Sequence, residues 1–292
     1  MLYTKPHPHV TLVGAGPGDP ELLTLKGLRA LQTADVVLYD ALVDEALLAH
    51  VPPDAPRIYV GKRAALHHRT QDQINRLLTR KAYEYGHAVR LKGGDPYVFG
   101  RGHEELAYAQ DVGLPVSVVP GVSSCISVPA LAGVPVTRRG VSESFWVMTA
   151  TTRDGSLSRD LYDAARARAT AVILMGVGRL WEIAQVFAKA GKGKTPAMVI
   201  QSGSTSDERV VVGTVADIAE RARVAEIGTP GIIVFGEVVD LSPAAVRREV
   251  MGRALNDWAS EDWALEDWAS ELDPKGPAIG PQAVPTDLRP AA

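Results

Sequence analysis

The sequence predicts an α/β protein in which short strands alternate with amphipathic helices. Short runs of β-branched and other apolar residues recur along the chain, and segments with helical periodicity lie between them. Several of these runs end in glycine- or proline-containing turns. The chain has 292 residues, of which 46% are hydrophobic and 22% charged, so it can fold as one large or two ordinary domains around packed cores.

The first part of the chain predicts five strands and three helices. The strands cover residues 10–13, 36–39, 57–60, 88–91 and 116–119, and the helices cover 22–34, 70–85 and 123–132. Thr70 and Gln73 have the spacing of a capping box at the start of the second helix. The regular alternation of strand and helix indicates a largely parallel sheet.

The pattern breaks at residues 133–140 and then resumes. Five more strands are predicted at 145–149, 171–175, 197–200, 209–212 and 232–235, with helices at 179–190 and 215–223. Thr214 is predicted to cap the second of these helices. We therefore predict two α/β domains, 1–136 and 137–245, followed by a tail, 246–292.

The predicted tail contains a repeat with a period of five residues. Asp-Trp-Ala begins each unit at residues 257, 262 and 267. A step of five residues turns about 140° around a helix, so the three tryptophans cannot share one helical face. We expect an acidic segment that is disordered or loosely helical, followed by a proline-rich end.

Composition excludes several functions. The formal net charge is −3 and aromatic residues make up only 6%, which gives no electrostatic or stacking case for binding nucleic acid or a membrane surface. Cys125 is the only cysteine, so neither an intrachain disulfide nor a cysteine-rich zinc site can form. We expect a soluble cytoplasmic protein without a structural metal, in which Cys125 is a buried small residue.

A glycine loop, Gly14-Ala15-Gly16-Pro17-Gly18-Asp19, follows the first strand. A dinucleotide fingerprint requires glycine where Asp19 stands. Pro17 also lacks the backbone N–H that a pyrophosphate would accept from. The loop therefore favours a ligand without phosphate over a nicotinamide dinucleotide.

Other polar residues and glycines are predicted at the same edge of the sheet. Lys92-Gly93-Gly94-Asp95-Pro96 ends the fourth strand, Asp40 ends the second and Lys62 follows the third. Taken singly, these are a tight turn, an N-cap and a solvated lysine. Parallel strands would bring them together at the carboxyl edge, where open α/β sheets bind ligands. There a carboxylate and an ammonium could transfer protons or anchor an ionic substrate.

In this order, the motifs resemble those of the uroporphyrinogen-III C-methyltransferases within the tetrapyrrole methylases. The residues that carry the resemblance are 13–20, 23–27, 39–40, 61–63, 91–96, 99–102, 119–122 and 133–137. The resemblance covers about residues 10–241. It implies two α/β domains of the tetrapyrrole methylase type, with the active site in the trough between them, in a homodimer.

The resemblance also implies S-adenosylmethionine as methyl donor, S-adenosylhomocysteine as product, and no metal. The implied donor contacts are Pro17, Gly93, Gly94, Asp95, Val98, Ser123, Ser124, Met175 and Gly203. Asp40 and Lys62 fall on the family's proposed acid/base positions. Arg63, Arg101, Arg138 and Arg139 are candidates for pairing with carboxylates of the substrate. Ser123-Ser124 departs from the family's usual Thr-Ala, and Thr149-Ala150-Thr151 from its Thr-Gly-His.

The implied reaction is methylation of uroporphyrinogen III at two pyrrole carbons, C2 and C7, to give precorrin-2 for sirohaem or cobalamin. Alternatives within the fold are a later precorrin methylase and a diphthine synthase. An NAD-dependent oxidoreductase is an alternative from another class, and Asp19 argues against it. A further alternative is a binding module that has lost turnover.

Overall fold

The computed structural model describes residues 7–61 and 70–246. These residues belong to one compact unit, Met1–Arg248. The predictions for Lys62, Arg63 and the tail from residue 247 onwards lie outside the described residues. Within the described residues, no helix is both long enough and apolar enough to span a membrane.

The first sheet is parallel throughout, as predicted. Its order is β3-β2-β4-β1-β5. The strands are β1 (His9–Gly14), β2 (Val36–Tyr39), β3 (Arg57–Tyr59), β4 (His87–Lys92) and β5 (Val116–Val119). All six residues of the central strand β4 are buried, which is typical of a strand covered on both faces.

Helices cover both faces of this sheet. They are α1 (Leu25–Gln32), α2 (Gln71–Tyr85) and α3 (Gly102–Asp111). Leu31 of α1 packs into the core on one face, and Leu78 of α2 and Ala109 of α3 pack into the core on the other.

The second sheet has the order β6-β7-β10-β8-β9. Its strands are β6 (Phe145–Thr149), β7 (Thr170–Leu174), β8 (Pro196–Gln201), β9 (Arg209–Thr214) and β10 (Gly231–Phe235), and the helices between them are α5 (Asp160–Arg166), α6 (Leu180–Phe187) and α7 (Ile218–Val224). Only β6 and β7 are parallel, and the other three pairs are antiparallel. The expectation of a largely parallel sheet is therefore wrong for this half. The link from β8 to β9 is too short for the crossover that a parallel pair needs.

The predicted helix boundaries need two corrections. The first helix begins at Leu25 with Thr24 as its N-cap, because residues 20–22 form a separate 3₁₀ turn. Thr214 does not cap α7, since it is the last residue of β9 and its N–H and hydroxyl both contact the carboxylate of Asp217. Helices α3 and α5 were not predicted.

A further helix, α4 (Ser124–Leu131), links the two sheets. Cys125 is buried, as predicted, and with Val128 it packs against Val172 and Ile200 of the second sheet. Although α4 follows directly after the first sheet in the chain, its apolar side chains belong to the core of the second. The boundary between residues 136 and 137 stays a prediction.

Candidate active site

Three glycine-containing loops meet at the carboxyl edge of the first sheet. Gly16 and Gly94 form an antiparallel bridge, in which the Gly94 N–H donates to the Gly16 carbonyl over 2.6 Å. A Cβ on Gly14 would lie 2.5 Å from Cα of Gly121 and 2.6 Å from the carbonyl oxygen of Gly94. Only glycine allows this approach, so the loops after β1, β4 and β5 form one packed unit.

The amides of the first loop are largely used within the protein. The N–H of Ala15 donates to the Lys92 carbonyl, the N–H of Gly16 donates to the Gly94 carbonyl, and Pro17 has none. The N–H of Asp19 donates to the Ser204 hydroxyl over 3.1 Å. A pyrophosphate cradle requires such amides to point at the ligand. This geometry agrees with the sequence prediction that the loop is not a dinucleotide site.

Asp95 fastens the second loop to the third. One carboxylate oxygen accepts from the Tyr97 N–H over 2.8 Å, and the other accepts from the Gly121 N–H over 3.1 Å. Val98, another predicted donor contact, packs into the core that contains α4. The Asp95 carboxylate therefore shapes the site by binding backbone amides of both loops.

The amino end of α4 lies beside Gly94. The position of a Cβ on Gly94 is 4.0 Å from the Ser124 amide nitrogen, with no other neighbour that close, so this side of the loop has open space. Ser123 is the N-cap residue, and its hydroxyl lies 3.1 Å from Sγ of Cys125 instead of binding the helix amides. The predicted contacts Gly94, Ser123 and Ser124 are thus neighbours.

The second sheet contributes a loop at residues 202–205. Gly203 packs so closely on α4 that a Cβ there would overlap the Val128 side chain. A Cβ on Gly18 would lie 2.7 Å from Cγ2 of Thr205. With the hydrogen bond from Asp19 to Ser204, these contacts join the first glycine loop to the second sheet. Pro17 and Gly203 are therefore brought to the same junction.

Met175 lies on the same edge of the second sheet as this loop. The register pairs Leu174 with Ile232, and Ile232 with Ile200, which puts the end of β7 level with the end of β8. Met175 has a φ of 56° and its side chain is largely exposed. The left-handed backbone turns the chain away from the sheet directly after β7.

Asp40 contacts the Gly-Gly loop, which contains the predicted donor contacts Gly93 and Gly94. Its Oδ1 accepts from the Leu42 N–H over 3.2 Å and from the Gly93 N–H over 3.4 Å. Its Oδ2 accepts from Nη2 of Arg90 over 3.2 Å. The predicted meeting of Asp40 with the Gly-Gly loop is confirmed by these contacts.

The predicted arginines differ in their surroundings. Arg101 makes a bidentate pair with Glu104, with distances of 2.8 and 2.6 Å, and this hydrogen bonding lowers the pKa of Glu104. Arg138 and Arg139 are exposed in a turn closed by backbone bonds between residues 138 and 142. Because the pair with Glu104 uses Nε and Nη2, Arg101 would bind a substrate carboxylate through its remaining N–H groups or by leaving Glu104.

Sequence reasoning did not predict a buried cluster of charged side chains next to Asp40. The cluster consists of Arg90 and Lys92, in the carboxyl half of β4, and Glu105 in α3. Burial lowers the pKa of Lys92, and the neighbouring charge of Arg90 adds to this effect. The sequence did contain a signal for this cluster, because Arg90 and Lys92 stand two positions apart in a mainly apolar strand. No group of three or more metal-ligating side chains occurs within the described ranges.

Comparisons with known proteins agree with this geometry. The family model for Tetrapyrrole (Corrin/Porphyrin) Methylases matches residues 9–219. A uroporphyrinogen-III C-methyltransferase of Methanocaldococcus jannaschii is 46% identical over 235 residues, covering 80% of this chain and 97% of that protein. A siroheme synthase of Azotobacter vinelandii is 45% identical over 233 residues, which are 80% of this chain and only 50% of that longer protein.

Among solved structures, the chain is similar to uroporphyrin-III C-methyl transferase from Thermus thermophilus complexed with S-adenyl homocysteine. The TM-score is 0.69 and the identity 44%, over 80% of this chain and 99% of that one. This similarity confirms the predicted fold class, two α/β halves of the tetrapyrrole methylase type. The family model and the Methanocaldococcus jannaschii relative, which is matched over 97% of its own length, together show that the chain belongs to the tetrapyrrole methylase family.

Proposed function

We propose that the chain is an S-adenosylmethionine-dependent uroporphyrinogen-III C-methyltransferase that makes precorrin-2 by methylation at C2 and C7. The observation that carries this is the convergence of loops from both sheets on one junction, with Asp40 hydrogen-bonded to the Gly-Gly loop. The similarity to a methyltransferase that is matched over 97% of its own length supports the same conclusion. The product would feed sirohaem or cobalamin synthesis.

The donor would bind at the junction of the four loops. The proposed contacts are Pro17, Gly93, Gly94, Asp95, Val98, Ser123, Ser124, Met175 and Gly203. The site fits this ligand because Gly94 leaves open space beside Ser124, whereas most amides of the first loop are not free to bind a phosphate. S-adenosylmethionine supplies an activated methyl group and carries no phosphate.

The protein's own groups position the reactants and move a proton. The pyrrole carbon attacks the sulfonium methyl, the bond between sulfur and that methyl breaks to release S-adenosylhomocysteine, and a proton must then leave the macrocycle. Asp40 is the proposed acceptor of that proton, since its carboxylate lies beside the donor loop. We propose Lys62 as the second acid/base group. Arg63, Arg101, Arg138 and Arg139 would pair with the substrate's carboxylates.

We further propose that the enzyme is a cytoplasmic homodimer. The family resemblance supports the dimer, and light scattering after size exclusion would test it, since a monomeric mass at working concentration would refute it. The single cysteine supports a reducing compartment.

Anaerobic incubation with S-adenosylmethionine and uroporphyrinogen III, followed by mass spectrometry, tests the function. We expect a gain of two methyl groups that requires the protein. Asp40→Asn should keep donor binding by calorimetry and lose at least about a hundredfold in turnover, the range of a general base. Asp44→Asn, a matched carboxylate that caps a nearby 3₁₀ turn, should retain full activity.

Each other outcome removes part of the proposal. A single methyl keeps the class and excludes the second transfer. Donor binding without product moves the acceptor to another precorrin or to a diphthamide precursor, or indicates a binding module. Binding of NAD without binding of S-adenosylmethionine would overturn the methylase assignment.

A further inference from the structure

A buried cluster of charges lies behind Asp40. We define it by Arg90 and Lys92 of β4 and Glu105 of α3. The exposed fraction of each side chain is 4%, 5% and 0%, respectively. Nε of Arg90 lies 3.1 Å from Oε1 of Glu105, and Nζ of Lys92 lies 3.1 Å from both carboxylate oxygens. Nε2 of Gln71, in α2, also donates to Oε1 over 3.1 Å.

Each nitrogen of the Arg90 guanidinium donates a hydrogen bond, to Glu105 of α3 or to groups at the ends of the strands. Nε binds Glu105, Nη1 donates to the Leu91 carbonyl over 2.8 Å, and Nη2 donates to Asp40 over 3.2 Å. Nη1 also reaches the Leu38 carbonyl at 3.5 Å, so the planar group is fixed by three partners besides Asp40. A guanidinium held in this way presents its remaining N–H groups in one direction.

Such burial is costly and calls for an explanation. Removing charged groups from water carries a desolvation penalty, and apolar residues of similar size often serve stability as well or better. The position of the cluster is informative. Lys92 is the last residue before the Gly-Gly loop, and Nη2 of Arg90 contacts the carboxylate of Asp40, which is proposed to accept the proton. Elsewhere in β4 the side chains Ala88, Val89 and Leu91 are apolar and fully buried.

We propose that Arg90 is a positioning residue that holds the Asp40 carboxylate against the Gly93 amide, with Glu105 as the counter-ion that fixes Arg90. This inference rests on the proposed function. The three N–H groups from Arg90, Leu42 and Gly93 leave the carboxylate little freedom to rotate. The proton acceptor is thereby kept in register with the loop that would bind the donor.

Charge balance explains why the cluster contains two bases. With Asp40 ionised, Arg90, Lys92, Glu105 and Asp40 sum to zero. When Asp40 accepts a proton, Arg90 stays charged because arginine does not deprotonate in proteins, so the four groups together gain one positive charge. The set is therefore neutral only while Asp40 is ionised.

A double-mutant cycle with Asp40 tests the inference. Arg90→Lys keeps the buried positive charge, so the protein should fold. It loses the planar guanidinium that contacts Glu105 and Asp40 at the same time. We expect turnover to fall at least about tenfold at saturating substrate. The affinity for S-adenosylhomocysteine by calorimetry should change by less than about twofold. In the Asp40→Asn background, Arg90→Lys should cause no further loss, because the group it positions no longer accepts a proton.

Controls separate this role from a structural one. Arg223→Met removes an exposed arginine that is also paired with a glutamate, Glu220, and should leave turnover unchanged. Arg90→Met, if it folds by circular dichroism, should lose more activity than Arg90→Lys. Wild-type turnover in Arg90→Lys, or equal losses with and without Asp40, would overturn the positioning role. A wild-type chain that makes no product would instead refute the proposed function.

Discussion

At the scale of single residues, Gly121 shows how a missing side chain shapes the candidate site. Its backbone fills the space between the loops after β1 and β4, and any Cβ there would overlap the Gly94 carbonyl oxygen. That carbonyl accepts from the Gly16 N–H, and Asp95 binds the Gly121 N–H. One position thus touches all three loops, so displacing it must displace the proposed donor contacts.

We expect Gly121→Ala to lower the affinity for S-adenosylhomocysteine by at least about tenfold, or ~1.4 kcal/mol. The carbonyl of Gly94 is backbone and cannot rotate away as a side chain could. Calorimetric titration measures the change. Gly178→Ala is the matched control, because a Cβ at Gly178 meets nothing within 4 Å. Equal affinities for the two variants would show that the packed loops do not form the donor site.

At the scale of elements, strand positions were predictable and several helix boundaries were not. Near-continuous apolar runs identify strands buried on both faces, and all ten predicted strands are present. Helix α3, in contrast, begins with a glycine and three polar residues, at 102–105, and has a weak apolar face, so periodicity did not reveal it. The sheet order and the antiparallel pairs of the second half depend on contacts distant in sequence.

The candidate site divides in the same way. The glycine loops and Asp40 could be predicted, because parallel strands bring their carboxyl ends to one edge. The bidentate pair of Arg101 with Glu104 and the burial of Arg90 could not, since both depend on where α3 packs. Two hydrogen bonds of the first loop could not be predicted either, because they depend on tertiary contacts. They run from the Ala15 amide to the Lys92 carbonyl and from the Asp19 amide to the Ser204 hydroxyl.

The opposite edge of the first sheet depends on one histidine. His87 opens β4, its Nδ1 lies 3.0 Å from the Thr33 carbonyl, and its Nε2 lies 2.8 Å from the Thr11 hydroxyl. A carbonyl only accepts, so Nδ1 carries the hydrogen, and in the neutral ring Nε2 then accepts from the Thr11 hydroxyl. Its ring also stacks on His9 at 4.2 Å. These contacts satisfy both ring nitrogens of a neutral imidazole at this edge of the sheet.

Stability should fall as pH drops below the ordinary histidine value of about 6.5. Burial lowers the pKa of His87 in the folded protein, so between the folded and unfolded values the unfolded chain binds more protons. The stabilisation is complete above pH ~6.5 and is lost as pH falls through the folded pKa. Melting temperatures at several pH values should decline more steeply for the wild type than for His87→Asn. Parallel declines would assign the acid sensitivity to other groups.

At the scale of the whole molecule, the proposed donor site draws on both sheets. The first sheet supplies the loops at 14–19 and 93–96, and the second supplies Met175 and the loop at 202–205. Helix α4 joins them, because its amino end lies beside Gly94 and its apolar side chains pack into the second core. A ligand at this junction should therefore stabilise the two halves together.

Hydrogen exchange with and without S-adenosylhomocysteine tests that coupling. At a ligand concentration of about 100 times Kd, binding should add ~2.7 kcal/mol to the free energy of unfolding. Because contacts from both sheets are proposed, we expect slower exchange in peptides covering 14–19, 93–96 and 202–205. The amino edge around His87 lies at the far end of the strands and should change only through global stabilisation. Protection confined to the first two peptides would remove Gly203 and the loop at 202–205 from the proposed donor site.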